Sequence, residues 1–161
     1  GLLMVKGPNV MLGYLNMEKE SAEVLENGWY NTGDIARVDE DGFLTITDRL
    51  SRFSKIGGEM VPHVRVEEVY QRALDTTERV VAVTSLPHPK KGEELVVVYL
   101  AEAGSPQKLH QIIANSNLPN MCKPRPDNYI KVDSIPVLGS GKLDIMKLRK
   151  IAAAARKASE D

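Results

Sequence analysis

The chain has 161 residues, 42% apolar and 27% charged, and its 21 Lys plus Arg against 22 Asp plus Glu give a formal net charge of −1. That length suits one medium domain, or a small domain with part of a neighbour. An even charge balance with 5% aromatics leaves no global footprint for nucleic acid, so no nucleic-acid partner is expected.

The longest apolar run, residues 95–101, falls far short of the ~20 residues of a membrane helix. The lone Cys122 permits no internal disulfide and suits a reducing, cytoplasmic compartment. His63, His88 and His110 lack metal-ligand spacing, so no metal site is expected.

In chain order, residues 1–7 read as a strand closed by the turn Gly7-Pro8-Asn9. Its abrupt opening at Gly1 leads us to expect further chain before it. Asn16 is expected to cap a helix running to about Leu25, with Asn27-Gly28 ending it. Strands at 34–38 and 43–47 follow, joined by Asp39-Glu40-Asp41-Gly42, a hairpin signal. From 48 to 62 large apolar residues thin out. Arg49, Arg52, Lys55 and the pair Gly57-Gly58 fit a linker leading into a tight hairpin with arms 53–56 and 59–61, and the domain boundary is set near Asp48. Val66, Val69, Tyr70, Ala73 and Leu74 recur at helical spacing. Residues 79–85 and 94–100 are β-branched runs of interior-strand type. Ser105-Pro106 opens another helix with Leu109, Ile112 and Ile113 on one face. A third strand spans 128–132, and Ile145, Leu148, Ile151 and Ala152 mark a final amphipathic helix. The expected fold class is α+β: a β-rich piece over 1–47, then a small domain over 48–161 with a three-stranded sheet, helices and a two-stranded hairpin.

Three places could carry chemistry. Gly33 lets the backbone turn ahead of Asp34, which is read as ending a loop and whose carboxylate could hold a diol; a turn-capping Asp is the plainer alternative. In 48–59, Arg49 and Lys55 could contact phosphate or ribose and Gly57-Gly58 could admit a ligand to the backbone; a charged hairpin at a domain edge reads equally well. Leu138-Gly139-Ser140-Gly141-Lys142 presents an ammonium on a glycine loop. It is not a phosphate-binding P-loop, since Pro136 and Leu143 stand where glycine and Ser or Thr are required, and an ordinary helix-entry turn is the alternative.

Taken together and in order, these residues resemble the adenylate-forming (AMP-binding) superfamily of acyl-CoA synthetases, luciferase-type enzymes and peptide-synthetase adenylation domains. Residues 28–34 are similar to its G-W-x-x-T-G-D motif, and Asp41-Gly42 with Asp48-Arg49 to its D-G…D-R stretch. Glu67, Pro87 with Gly92-Glu93, and Pro136 with Ser140-Gly141-Lys142 resemble three further family segments. Residues 57–61 and 138–142 are most like the acyl-ACP synthetase portion of bacterial 2-acylglycerophosphoethanolamine acyltransferases.

The resemblance implies a mobile C-terminal lid over 48–161, preceded by the end of a large N-terminal domain. It implies ATP with Mg²⁺, a fatty acid, and the pantetheine thiol of acyl carrier protein or CoA as co-substrates. Asp34 and Arg49 would hold the ribose of ATP, Lys142 would be catalytic in adenylation, Gly58 would meet the pantetheine, and Ser51 would be the hinge. Ser51 stands where the family usually has Asp or Lys, and Ile145 where it has Arg. The family's phosphate loop, magnesium-binding glutamate and acyl pocket have no counterpart in these residues. The chain alone is therefore expected to be inactive, with its own N-terminal domain as partner and any membrane contact made through that missing part. Two other readings are an amino-acid-activating adenylation domain and a non-catalytic interaction module.

Overall fold

The computed structural model describes residues 1–160 and divides into two compact units, residues 1–51 and residue 52 onward. The first holds β1 (Leu2–Val5), α1 (Glu18–Val24), β2 (Leu25–Glu26), β3 (Trp29–Val38) and β4 (Leu44–Arg49). All pairings are antiparallel and all involve β3: β1 lies along one edge, and β2 and β4 share the other.

Two expectations fail in this unit. Asn27-Gly28 does not end a helix; with φ of +50° and +79° it forms the two-residue hairpin turn between β2 and β3. Asn16 caps nothing and sits at φ +56° ahead of α1. Asn is among the few residues that tolerate left-handed backbone, and both positions use that property rather than its capping oxygen. Ser21 steadies the helix start instead. Its Oγ donates to the Met17 carbonyl (2.6 Å) and accepts from the Tyr14 N–H (2.9 Å).

The second unit contains β5 (Phe53–Ile56), β6 (Glu59–Pro62), α2 (His63–Leu74), β7 (Val81–His88), β8 (Gly92–Tyr99), α3 (Pro106–Ala114), β9 (Tyr129–Lys131) and α4 (Ile145–Glu160). Strand β8 pairs with β7 along its whole length, antiparallel, and with β9 in parallel. The hairpin β5–β6 joins this three-stranded sheet through one residue pair, Ile56 with Gly92.

Strand alternation sorts the core into two faces. Val83, Val97 and Tyr99 pack with Val66 and Tyr70 of α2 and Leu109 and Ile113 of α3. Ala82, Val98, Leu86 and Val96 meet Leu148 and Ala152 of α4 on the other face. Val66, Tyr70, Leu109, Ile113 and Leu148 are wholly buried, each apolar side chain contributing about 1.5–3 kcal/mol. The starts of α3 and α4 are capped locally, while α2 begins at Pro62 without a side-chain cap. Ser105 Oγ accepts from the Lys108 N–H, and Asp144 Oδ1, which the sequence reading passed over, accepts from the Lys147 N–H at 2.9 Å.

Candidate functional site

Asp34 and Arg49 meet as cross-strand neighbours of β3 and β4. Arg49 Nη1 lies 3.1 Å from Asp34 Oδ1, and its Nη2 donates to the Thr32 carbonyl at 3.2 Å. Asp34 does not end a loop ahead of a strand, as the sequence suggested; it stands inside β3, where the register with both neighbours shifts. Gly33 produces that irregularity. Its φ is +72°, and a Cβ there would come to 3.4 Å from Arg49 Nη2, so glycine serves both the kink and the close approach of the guanidinium. The turn is tied down by Gly33 N–H to Asn31 Oδ1 and Asp34 N–H to Thr32 Oγ1, both 3.0 Å, while Thr32 Oγ1 donates to the Leu3 carbonyl. The Asp34 side chain is 18% exposed and Arg49 engages one of its oxygens. What remains is a fixed acceptor beside a fixed cation, which suits a vicinal diol next to an anion.

Ser51 lies in the 3₁₀ turn Leu50–Arg52, and the first unit ends at it. The next residue, Arg52, is clamped into the second unit by an ion pair with Glu67 of α2. Glu67 Oε1 also accepts the Val83 N–H of β7 at 2.7 Å. Burial pushes the Glu67 carboxyl up, and the charge and hydrogen bond of Arg52 only partly offset that. Beside it, Ser54 Oγ and His63 Nε2 are 2.5 Å apart and both residues are buried. Burial first, then the neighbouring Arg52 charge, lower His63 to about 4, against an opposing pull from Glu93.

Gly57 and Gly58 close the hairpin β5–β6 at φ +60° and +94°, with nothing within 4 Å of a Cβ built on either. That turn is held against the β7–β8 turn. Gly57 N–H donates to the Lys91 carbonyl (2.8 Å), and Glu93 Oε2 accepts the Lys55 N–H (2.7 Å). Glu93 Oε1 accepts from Ser85 Oγ and from Arg149 of α4, both at 2.7 Å. Burial raises the Glu93 carboxyl, but the bonds from Ser85 and Lys55 N–H and the Arg149 charge outweigh it and hold the group below the usual carboxylate range.

Lys142 is exposed on a loop that bonds to itself. Val137 and Leu143 form an isolated bridge, Leu138 N–H donates to the Lys142 carbonyl and Gly141 N–H to the Leu138 carbonyl, both at 2.8 Å. Asp144 N–H then donates to the Pro136 carbonyl as α4 begins. This is a closed, backbone-bonded turn, tighter than the flexible loop or ordinary helix entry considered from sequence. It holds up the ammonium without an ion-pair partner among the described residues. No hydrogen bond joins the lysine loop to the Gly58 turn among the described residues, although both belong to the second unit.

The Arg52–Glu67 pair, the buried Ser54–His63 contact and the Glu93–Arg149 junction were not assigned from sequence. Glu67 and Glu93 did stand in the family-like segments, which was their one visible signal. No group of three or more His, Cys, Asp or Glu gathers as metal ligands among the described residues. No helix there is long and apolar enough to cross a membrane.

No protein-family profile matches the chain. It is 34% identical over 163 residues to the peroxisomal butyrate–CoA ligase of Arabidopsis thaliana, covering 96% of this chain and 27% of that protein. The amide bond synthetase McbA of Marinactinospora thermotolerans superposes with a TM-score of 0.67 at 34% identity, over 93% of this chain and 30% of that one. The o-succinylbenzoate CoA synthetase of Bacillus subtilis, solved with its acyl-adenylate intermediate, gives 0.67 at 30% identity, over 92% and 30%. The fold is thus the mixed α/β C-terminal domain of adenylate-forming enzymes. More particularly, the homologues are adenylate-forming acyl- and aryl-CoA ligases, and the chain spans under a third of the length of each relative compared here.

Proposed function

We propose that this chain is the C-terminal part of an ATP-dependent carboxylate–thiol ligase, and that Lys142 is its adenylation lysine. The observation that carries the reading is the Lys142 loop: an exposed ammonium on a turn fixed by its own backbone bonds, in a fold whose relatives form acyl-adenylates. In such an enzyme a carboxylate oxygen attacks the ATP α-phosphorus and pyrophosphate leaves; a thiol sulfur then attacks the acyl carbon and AMP leaves. Negative charge gathers between two anions in the first step, and a positioned ammonium offsets it. Asp34 accepts from the ribose hydroxyls, and Arg49 orients that carboxylate and adds positive charge. Magnesium belongs to the reaction, and no residue of this chain is assigned to it.

Residues 1–51 are the end of the adenylation domain and the lid begins at Arg52, a few residues past the boundary near Asp48 expected from sequence. The lid turns about Ser51, exchanging Lys142 for the Gly58 turn, which then meets the pantetheine. The position of the unit boundary immediately after Ser51 supports this. The finer reading takes a fatty acid as substrate, acyl carrier protein or CoA as thiol donor, and a link to lysophospholipid acylation on the cytoplasmic side of the membrane. Its support is the acyl-ACP-synthetase-like sequence at 57–61 and 138–142.

The test uses the full-length ligase and pyrophosphate release with a panel of acids. Lys142→Ala is expected to lower adenylation by about a hundred- to a thousandfold, while thioester formation from supplied acyl-adenylate persists. Adenylation equal to wild type would overturn the assignment and favour an interaction module that keeps the fold.

A further inference from the structure

The buried cluster at the start of the second unit has two polar atoms left over. Among the described residues, Arg52 Nη1 and His63 Nδ1 are buried and have no hydrogen-bond partner. Both belong to one place. The β5–β6 hairpin pairs Ser54 with Val61 and Phe53 with Pro62, so Arg52 and His63 stand at the next positions outward on its two arms. Arg52 and Ser54 flank Phe53 and share a face of the strand, and Ser54 Oγ already meets His63 Nε2 at 2.5 Å. Ser54 is 0% exposed and His63 2%, so bulk water does not reach the gap freely.

Counting hydrogens fixes the character of the site. The one partner of the Ser54 hydroxyl among the described residues is His63. A hydroxyl that donates to Nε2 uses its hydrogen and leaves the single proton of a neutral imidazole on Nδ1. The opposite tautomer would strand the hydroxyl hydrogen in a dry interior, which costs more than an unused lone pair. His63 Nδ1 and Arg52 Nη1 are then both donors. The neighbouring carboxylates are already engaged: Glu67 by Arg52 and the Val83 N–H, Glu93 by Ser85, Arg149 and the Lys55 N–H. What completes the cluster is an acceptor from outside the chain.

We propose that Arg52 Nη1 and His63 Nδ1 together bind one small acceptor, a water molecule, enclosed between the start of β5 and the start of α2. A halide ion offers the same acceptor chemistry, but Glu67 already faces the Arg52 charge, and a neutral molecule satisfies both donors without adding a second anion. The bound molecule ties the second arm of the guanidinium to α2, so Arg52 meets that helix at His63 as well as at Glu67. The inference is independent of the ligase reading.

The experiment is a crystal structure of the full-length protein grown with bromide in place of chloride, with data collected at the bromine absorption edge. One peak within about 2.7–3.2 Å of both atoms, without anomalous signal, is expected. An anomalous peak there keeps the site and identifies its occupant as a halide. No peak between the two atoms, or either atom bonded to another protein group instead, overturns the proposal. Selective ¹⁵N labelling of histidine, with His63→Gln to assign the resonance, reads the tautomer independently. At neutral pH the proton should sit on Nδ1; a proton on Nε2 would remove one of the two donors and overturn the site.

Discussion

Replacing Arg52 by Met strips the counter-charge from a carboxylate that the fold has already desolvated. The side chains of Arg52 and Glu67 are 12% and 11% exposed, and Glu67 also accepts the Val83 N–H at 2.7 Å. One carboxylate thus links the residue after the unit boundary, helix α2 and strand β7. Burial already raises its pKa with Arg52 in place. Without the guanidinium, Glu67 either stays charged in a dry site with one donor or takes up a proton at neutral pH. Both routes cost free energy, and breaking a buried pair from one side destabilises by about 3–5 kcal/mol. Adding Glu67→Gln removes the second charge while its amide oxygen still accepts the Val83 N–H, so the double variant should recover all but about 1 kcal/mol. Urea unfolding followed by far-ultraviolet circular dichroism reads the second unit, which contains α2, α3 and α4, while Trp29 fluorescence reports on the first. A loss below about 1 kcal/mol in Arg52→Met, or a double variant no more stable than the single, would refute the reasoning.

Two further outcomes follow from the same unit. His63, lowered to about 4 by burial and then by the Arg52 charge, stays neutral in the fold while the unfolded imidazole titrates near its ordinary 6.5. Its contribution is complete above pH 6.5 and declines as the pH falls toward 4, by about 3 kcal/mol over that window. Glu67 and Glu93 titrate in both proteins, so the His63→Gln variant should lose the part of the slope that belongs to the imidazole and its coupling to Glu93; identical slopes in variant and wild type would mean the imidazole titrates normally. Gly58→Ala at φ +94° has room for the methyl group but not for the backbone, at a cost of about 1–2 kcal/mol. In the full-length ligase it should slow thioester formation and leave pyrophosphate release near wild type, whereas an equal fall in both steps would remove the Gly58 turn from the thiol step.

Elements whose signal is local were legible in the sequence. The α2 stripe, the Ser105-Pro106 helix start and the hairpins at Asp39-Glu40-Asp41-Gly42 and Gly57-Gly58 each depend on a few adjacent side chains, and each formed. Asn27-Gly28 misled because the dipeptide stops helices and turns hairpins equally well; only the pairing of β2 with β3 decides between them. Asp34 was read as a loop residue because Gly33 announces a break, yet β1 and β4 hold the strand on either side and convert the break into a register shift. The charged junctions were out of reach for another reason. Arg52 and Glu67 are 15 residues apart, and Glu93 and Arg149 are 56 apart. Neither pair exists until β5 has paired with β6 and α4 has covered the sheet. No periodicity in the chain encodes such contacts, whereas Gly92-Glu93 was visible as a motif whose purpose lay in the fold.

That purpose bears on how one small unit could serve two successive reactions. A loop that presents a charge at one step and withdraws it at the next can move by itself or be carried. Here both candidate loops are bound down: the lysine turn by its own backbone bonds, and the glycine turn by Lys91, Gly92 and Glu93. Glu93 also holds Arg149 on the second turn of α4, the helix that the lysine loop leads into. On the proposed reading the two loops therefore travel as one body, and the conformational freedom the reaction needs is concentrated in the short turn Leu50–Arg52. Arg52 then has a definite mechanical role. On that reading its pairing with Glu67 ends the proposed hinge at a single residue, so that a rotation at Ser51 is transmitted to the whole sheet rather than lost in fraying of β5. On the same reading the buried pair tolerates its desolvation penalty in exchange for fixing where the hinge stops, a specification that an apolar pair of equal stability would make less sharply.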